Sequence, residues 1–283
     1  MTPLLRLPRV LRHAEPPARR ETYRAFLATV VAVEDLTPRM RRVTLRAPQL
    51  ADYRRVRADD FFALLIPGDG GIEIPGDEIT AETPRGVAEL IPEAQRPTLR
   101  WYTIRAHRPS SAEIDVDIVL HGSGLASGPG STWATHARPG DAVGIAEGNG
   151  VYNPVPDAER QLFFADITAL PALISILESA DPAPGRPRPG TGSIAHIEVP
   201  SEEDVTEIAT DVDVRWHVRG TERTGFSVPR ILDGVDVDGI SYAWLCAEAD
   251  MVKRARRLVS GPGGVSKSAI TFSGYWRHGQ ARS

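Results

Sequence analysis

The sequence predicts a β domain followed by an α/β domain: an N-terminal six-stranded antiparallel barrel, then a C-terminal domain on a parallel sheet. Three observations predict it. Residues 21–153 hold six short runs rich in Val, Thr, Leu and Ile, broken by Gly, Pro and Asp turns. From residue 154 the runs become continuously apolar and alternate with helical patterns, as in strands covered on both faces. The length, 283 residues, suits two such units and allows a substantial core.

The elements follow in order. Residues 1–20 read as a flexible arm ending in EPPARR. FLATVVAVEDL (26–36) and MRRVTLRAP (40–48) read as two strands around a Thr-Pro turn, and DDFFALLIPG (59–68) as a third. Residues 67–98, dense in Gly, Pro and acids, read as a long loop. LRWYTIRAH (99–107) and EIDVDIVLHG (113–122) are the next strands. In the latter, Ile114, Val116, Ile118 and Leu120 alternate with Asp115, Asp117, Val119 and His121. GDAVGIAEG (140–148) is the sixth. Beyond residue 154, QLFFAD (161–166) reads as a buried parallel strand and ALPALISILESA (169–180) as its helix. DPAPGRPRPGTGS (181–193) has the composition of a linker. AHIEVP, VRWHVRG and SYAWLCAE are further strands, ADMVKRARRLVS (249–260) an amphipathic helix, and AITFSGYW (269–276) a last strand. In such a sheet, ligands bind at the carboxyl ends of the strands.

Composition excludes several classes. A net charge of −4 gives no reason to expect nucleic acid. The single cysteine, Cys246, excludes an internal disulfide and a cysteine metal cluster. No two of the seven histidines stand at metal-ligand spacing, so no protein-bound metal is expected. No apolar run is long enough for a signal peptide or membrane helix, which makes the cytoplasm the default location.

Chemistry concentrates in RWYTIR (100–105). Arg100 and Arg105 offer forked donors to phosphate, Tyr102 a ring and hydroxyl, and Thr103 a second hydroxyl. Downstream, Gly128, Pro129 and Gly130 read as a tight turn, with Ser131 as N-cap of a short helix STWATHA. A glycine turn into a helix N-terminus presents free amides and the positive end of the helix dipole to an anion. Together these describe a dinucleotide site with an aromatic platform, a flavin site. Taken alone, RWYTIR reads equally as an exposed strand with surface arginines, and His121 equally as a structural histidine.

These motifs resemble the siderophore-interacting proteins, a branch of the ferredoxin–NADP reductase-like flavoproteins. The likeness runs from about Tyr23 to Gly279 and rests on RWYTIR, DVDIVLHG (115–122), GPGSTWA (128–134) and GYWRHG (274–279), in that order. It implies that the barrel binds FAD noncovalently. By position, Arg100, Tyr102 and Thr103 hold the isoalloxazine and ribityl end. Arg105, Val119, His121, Gly130, Ser131 and Thr132 hold the pyrophosphate or adenosine end, while Trp133 packs the helix onto the barrel.

The resemblance also makes residues 154–283 an NAD(P)-binding-like domain, with departures. ADITALPA (165–172) keeps Thr168, Ala169 and Pro171 of the family pattern but has Ala165 for Gly and Ile167 for Glu. CAE (246–248) keeps Glu248 but has Ala247 for Gly. Each alanine adds a methyl where glycine would let a cofactor approach. Cys246 takes the position of a nicotinamide-side cysteine in related reductases, and reads otherwise as a small buried apolar residue. Arg219 suits a 2′-phosphate or, equally, a solvated strand end. Lys253, Lys267 and Arg277 are the candidates for attracting an anionic ferric siderophore; KRARR (253–257) reads otherwise as a solvated helix face.

The implied function is FAD-dependent reduction of a ferric siderophore, releasing Fe(II), with electrons from NADPH, NADH or a ferredoxin. No side chain is required as acid or base, so no catalytic residue is named. The alternatives are an enzyme of the same fold with another electron acceptor, and a flavin-binding protein that senses or carries siderophores without turnover.

Overall fold

The first sheet is organised around one 15-residue strand, β1 (Tyr23–Thr37), in a computed structural model that describes residues 19–121, 128–262 and 264–278. Phe26, Ala28 and Val30 point into the core, while Leu27 and Thr29 point out. The strand is long enough to serve three antiparallel neighbours. Its start pairs with β4 (Ile79–Ala81), its middle with β8 (Ala142–Ala146), and its second half with β2 (Met40–Arg46). Register shifts at Val30/Ala32 and Asp35/Thr37 bend it along the way.

With β3 (Phe61–Ile66), β5 (Thr98–Thr103), β6 (Ala106–Arg108) and β7 (Glu113–Val119), the sheet has eight strands in the order β5-β3-β8-β1-β2-β7-β6, with β4 on β1. Its two outermost strands, β5 and β6, are joined by residues 104–105 alone. The Ile104 amide donates to Asp60 and that of Arg105 to Asp115, both at 2.8 Å, so the half-barrel curls shut at this corner. The barrel-type sheet is the expected one. The expected strand 99–107 is split at residues 104–105 into β5 and β6, and β4, too short to show a period, is additional.

The expected loop 67–98 is a folded flap. It contains β4, a short helix α1 (Pro84–Glu89), and Ile72, Ile74, Val87 and Ile91, which cover Tyr23, Ala63 and Leu65 on the outer face of the sheet. A further helix, α2 (Pro129–His136), sits beside the barrel mouth.

The second sheet is wholly parallel, in the order β11-β10-β9-β12-β13. Its strands are β9 (Gln161–Asp166), β10 (Ile194–Val199), β11 (Asp213–Val218), β12 (Tyr242–Glu248) and β13 (Ile270–Trp276). Every residue of β9 and β12 is buried, which explains their unbroken apolar runs. Helices α3 (Leu170–Glu178) and α5 (Ala249–Val259) follow β9 and β12 directly. A third, α4 (Val228–Asp233), was not anticipated: Gly225, Pro229 and Gly234 crowd a six-residue helix and hide its period.

Composition misleads at 181–193. The segment is packed: Pro182 and Ala183 are buried, the Pro182 carbonyl accepts from the Ala58 amide at 2.8 Å, and that of Pro187 accepts from Gln161. It is a strap across the barrel rather than a linker. Met40 of β2 packs in the core of the second sheet, and polar bonds complete the joints between the sheets. Arg39 donates to Ser201 and Asp204, each at 3.0 Å, and Tyr152 donates to Gln161 at 2.6 Å. The expected arm lies outside the described residues except for Arg19 and Arg20. Arg20 is anchored, donating to the Gly148 carbonyl at 2.9 Å and to Asp60 at 3.2 Å.

Candidate functional site

Strand alternation on β5 puts Arg100 and Tyr102 on one face and Leu99, Trp101 and Thr103 on the other. Trp101 meets Phe61 edge-to-face at 5.4 Å and packs under the flap. Tyr102 joins the barrel core, leaning across to α2. Its hydroxyl fills the space a side chain would take at Gly130: a Cβ there would lie 1.8 Å from the Tyr102 oxygen. Only glycine permits that approach. Burial pushes the Tyr102 hydroxyl up to about 12, so it stays neutral and able to donate. Arg100, half-buried, donates to the Leu99 carbonyl at 2.7 Å. Thr103 is buried.

Helix α2 is placed by contacts at both ends. It begins at Pro129, with Gly128 as N-cap, so the expected cap Ser131 stands two residues further in. Proline's fixed φ and missing N–H suit the first helical position, which moves the start upstream. Ser131 does different work. Its hydroxyl accepts from the His121 amide at 3.0 Å and donates to the His121 carbonyl at 3.2 Å, tying the helix to the chain leaving β7. The His121 ring lies over Gly128, where a Cβ would be 3.2 Å from Cε1. At the far end Arg41 donates to the Ala134 and Thr135 carbonyls, each at 3.0 Å. Trp133 packs on the barrel core. Thr132 is exposed, and the first-turn amides of Gly130 and Ser131 have no acceptor within the helix. Val119, at the end of β7, leans instead on the core of the second sheet. The expected Gly122 lies outside the described residues.

Arg105 reaches between the sheets. Its Nη2 is 2.5 Å from Glu178 at the end of α3, and its Nε is 3.9 Å from Asp117. That Nε is buried without a hydrogen-bond partner. Asp117 is already forked by Arg42 at 2.7 and 2.8 Å. Arg105 therefore keeps one buried donor, Nε, without a hydrogen bond. A ring platform, a glycine-lined contact, first-turn amides without an acceptor inside the helix and the Arg105 guanidinium fit a flavin dinucleotide.

At the carboxyl ends of the second sheet the residues expected at a nucleotide divide into two groups. Ala169, Pro171 and Cys246 are buried in the core; Thr168 and Arg219 remain partly accessible. Burial pushes the Cys246 thiol well up, so it is a protonated packing residue. The methyls of Ala165 and Ala247 are also fully buried, facing core rather than crevice. Arg219 donates to the Glu222 carbonyl at 2.8 Å, and its Nε is 3.8 Å from Glu198.

Sequence reasoning missed two buried carboxylates that shape this edge, Asp166 and Glu198, and the structural part played by a third, Glu248. Asp166 ends β9 and accepts from Thr168, from the Glu248 amide and from Trp276 Nε1, the last two at 2.8 Å, which draws β12 and β13 to β9. Glu198, the penultimate residue of β10, accepts from Gly225 and Ser227. Glu248, an expected cofactor contact, caps α5 by accepting from the Asp250 and Met251 amides at 2.7 and 3.0 Å. Burial raises the carboxyls of Asp166 and Glu198 despite these bonds. The available signal was a lone acid closing each apolar run. Gly274 admits the start of α5: a Cβ there would be 2.9 Å from that of Ala249.

The three substrate candidates separate. Lys253 and Lys267 line one pocket beside α5 and β13, whereas Arg277 follows Trp276 at the carboxyl end of β13. Among the described residues, no three His, Cys, Asp or Glu side chains gather as metal ligands, and no helix is long and apolar enough to cross a membrane.

Comparison with known proteins accords with this geometry. Residues 29–152 match a siderophore-interacting FAD-binding domain, and residues 158–279 match a siderophore-interacting protein domain. An uncharacterised protein of Mycobacterium tuberculosis is 32% identical over 267 residues, 89% of each chain. The ferric vibriobactin reductase of Vibrio cholerae is 25% identical over 250 residues, 84% of each. The crystal structure of the siderophore-interacting protein SipS from Aeromonas hydrophila superposes with a TM-score of 0.69 at 30% identity, covering 91% of this chain and 93% of that one.

Proposed function

Because the chain belongs to the siderophore-interacting protein family and has relatives named ferric vibriobactin reductase and ferric acinetobactin reductase, we propose that it reduces ferric siderophores and releases Fe(II). The observation that carries the reading is the Tyr102–Gly130 contact, an aromatic platform held against the amides of a helix N-terminus. FAD, when bound there, supplies a carrier that takes electrons in pairs and gives them to iron singly. The protein's part is to hold and orient it.

Tyr102 and Arg100 face the isoalloxazine and ribityl end, with the Thr103 hydroxyl bounding it. The amides of Gly130 and Ser131, with Arg105, receive the pyrophosphate, and His121, Val119 and Thr132 border the adenosine side. Across the crevice, Thr168, Arg219 and the backbone shaped by Ala169, Pro171, Cys246 and Glu248 receive the electron donor. The burial of Ala165 and Ala247 supports a nicotinamide nucleotide, since neither methyl stands in the way. Arg219 suits the 2′-phosphate of NADPH over NADH. Arg277 is the cation that draws an anionic ferric siderophore to the mouth.

The test is anaerobic. Purified holoprotein is mixed with NADPH, NADH or a reduced ferredoxin, and then with ferric siderophores. Flavin bleaching by NADPH, followed by recovery with Fe(II) trapped by a chromogenic chelator, supports the reading. Bleaching by ferredoxin alone reassigns the donor. Bleaching without reoxidation by any ferric siderophore rejects the substrate.

A further inference from the structure

Beside helix α5 and strand β13, Lys253, Arg256, Arg257, Ser260, Lys267 and Phe272 line a pocket of about 510 Å³. That volume is within the range of small-molecule sites. Four of the six residues are cationic and none is acidic. Among the described residues, only Lys253 has a carboxylate within salt-bridge distance, Asp250 at 2.9 Å.

The pocket is built around a stacked pair. The Arg256 guanidinium lies over the Phe272 ring at 4.1 Å, which fixes the cation without neutralising it. Arg256 Nε is buried with no hydrogen-bond partner. Phe272 is 46% exposed, unusual for a phenylalanine on a strand beside a helix. Four residues of β13, roughly 13 Å, separate Phe272 from Trp276 at the carboxyl end where the flavin and donor meet. The pocket therefore lies outside the redox crevice.

We propose that this pocket is a second anion site, taking a small molecule with several phosphates and a planar ring: a nucleoside polyphosphate. The cations match a chain of phosphates in number, and the Arg256–Phe272 pair offers a flat surface for a base. Occupation requires no change in the flavin domain, so binding there is separable from FAD content.

Calorimetric titration of the FAD-loaded protein tests this, with ATP, inorganic tripolyphosphate and the ferric tris-catechol complex as probes in magnesium-free buffer. ATP is expected to bind at micromolar concentration and more weakly as salt rises. Tripolyphosphate, lacking a ring, is expected to bind about tenfold more weakly. Phe272→Ala should remove that difference. Arg257→Glu should weaken both phosphates at least about tenfold and leave the visible flavin spectrum intact; Arg257→Gln, milder for folding, should weaken them in the same direction. Failure of ATP to bind, or binding indifferent to the Arg257 variants, overturns the proposal. So does preference for the ferric catechol complex, which would make the pocket part of the substrate's path.

Discussion

The Tyr102 hydroxyl occupies the position of a side chain at Gly130, so that a methyl group there would come within 1.8 Å of it. The strand that carries the aromatic platform and the helix that offers its amides are thereby held at one fixed separation. Gly130→Ala should push Tyr102 aside and cost most of the bound flavin. The expected outcome is at least tenfold weaker FAD binding, measured by fluorescence titration of apoprotein. Gly130→Ala combined with Tyr102→Phe should recover part of the loss, because the clash is with the hydroxyl.

Ser131 ties helix α2 to the backbone at His121 through two hydrogen bonds. Ser131→Ala should lower stability by about 1–2 kcal/mol and weaken FAD several-fold. Paired denaturant melts of apo- and holoprotein check this: the deficit should be larger for the holoprotein if the helix N-terminus seats the cofactor as proposed.

Arg105 pairs with Glu178 at 2.5 Å, and its Nε stands 3.9 Å from Asp117. Glu178→Gln should free the guanidinium and tighten FAD by up to about fivefold, the scale of a partly exposed ion pair. Arg105→Gln should act in the opposite direction. Equal affinity in both variants would show that Arg105 serves the domain joint alone.

Asp59 accepts from the Val151 and Tyr152 amides at the joint between the sheets, and burial raises its carboxyl to about 6. The folded state thus binds this proton more tightly than the unfolded chain, whose Asp titrates near about 3.9. The associated stability is full below about pH 4 and is lost as pH rises through about 6. Asp59→Asn keeps an acceptor and cannot ionise. Relative to the native protein it should gain on the order of 2–3 kcal/mol between pH 4 and pH 7.5. Urea midpoints across that range read the difference; a gap independent of pH would contradict the raised carboxyl.

Much of this was legible in the chain. The alternation of Ile114, Val116 and Ile118 with Asp115 and Asp117 gave β7 its faces, and the inner three residues lie in the barrel core. RWYTIR and the 128–130 turn meet through Tyr102 and Gly130, as their chemistry suggested. Features that depend on contacts far apart in sequence were hidden. Arg105 and Glu178 are 73 positions apart, and nothing local marks them as partners. The 181–193 segment has the composition of a linker, yet Ala58 of the first domain and Gln161 of β9 donate to its carbonyls, and backbone bonding overrides composition. Ser131 was assigned to the helix start because capping residues are recognised locally, whereas its actual acceptor and donor lie ten residues upstream. Asp166 looked like the end of an apolar run because its three donors come from the loop after β9, β12 and β13.

The long first strand has a consequence for how the protein is made. Ala25 pairs with Ala146, and the Ala58 amide waits for the carbonyl of Pro182. During synthesis the earliest strand has its hairpin neighbour β2 at once. Its other flank stays open until residue 146 has left the ribosome, and the strap comes later still. Through that interval the edge of β1 is an unpaired template for another chain. Destabilising β8 should therefore be felt first as aggregation of nascent chains, before any loss of activity in the molecules that finish folding.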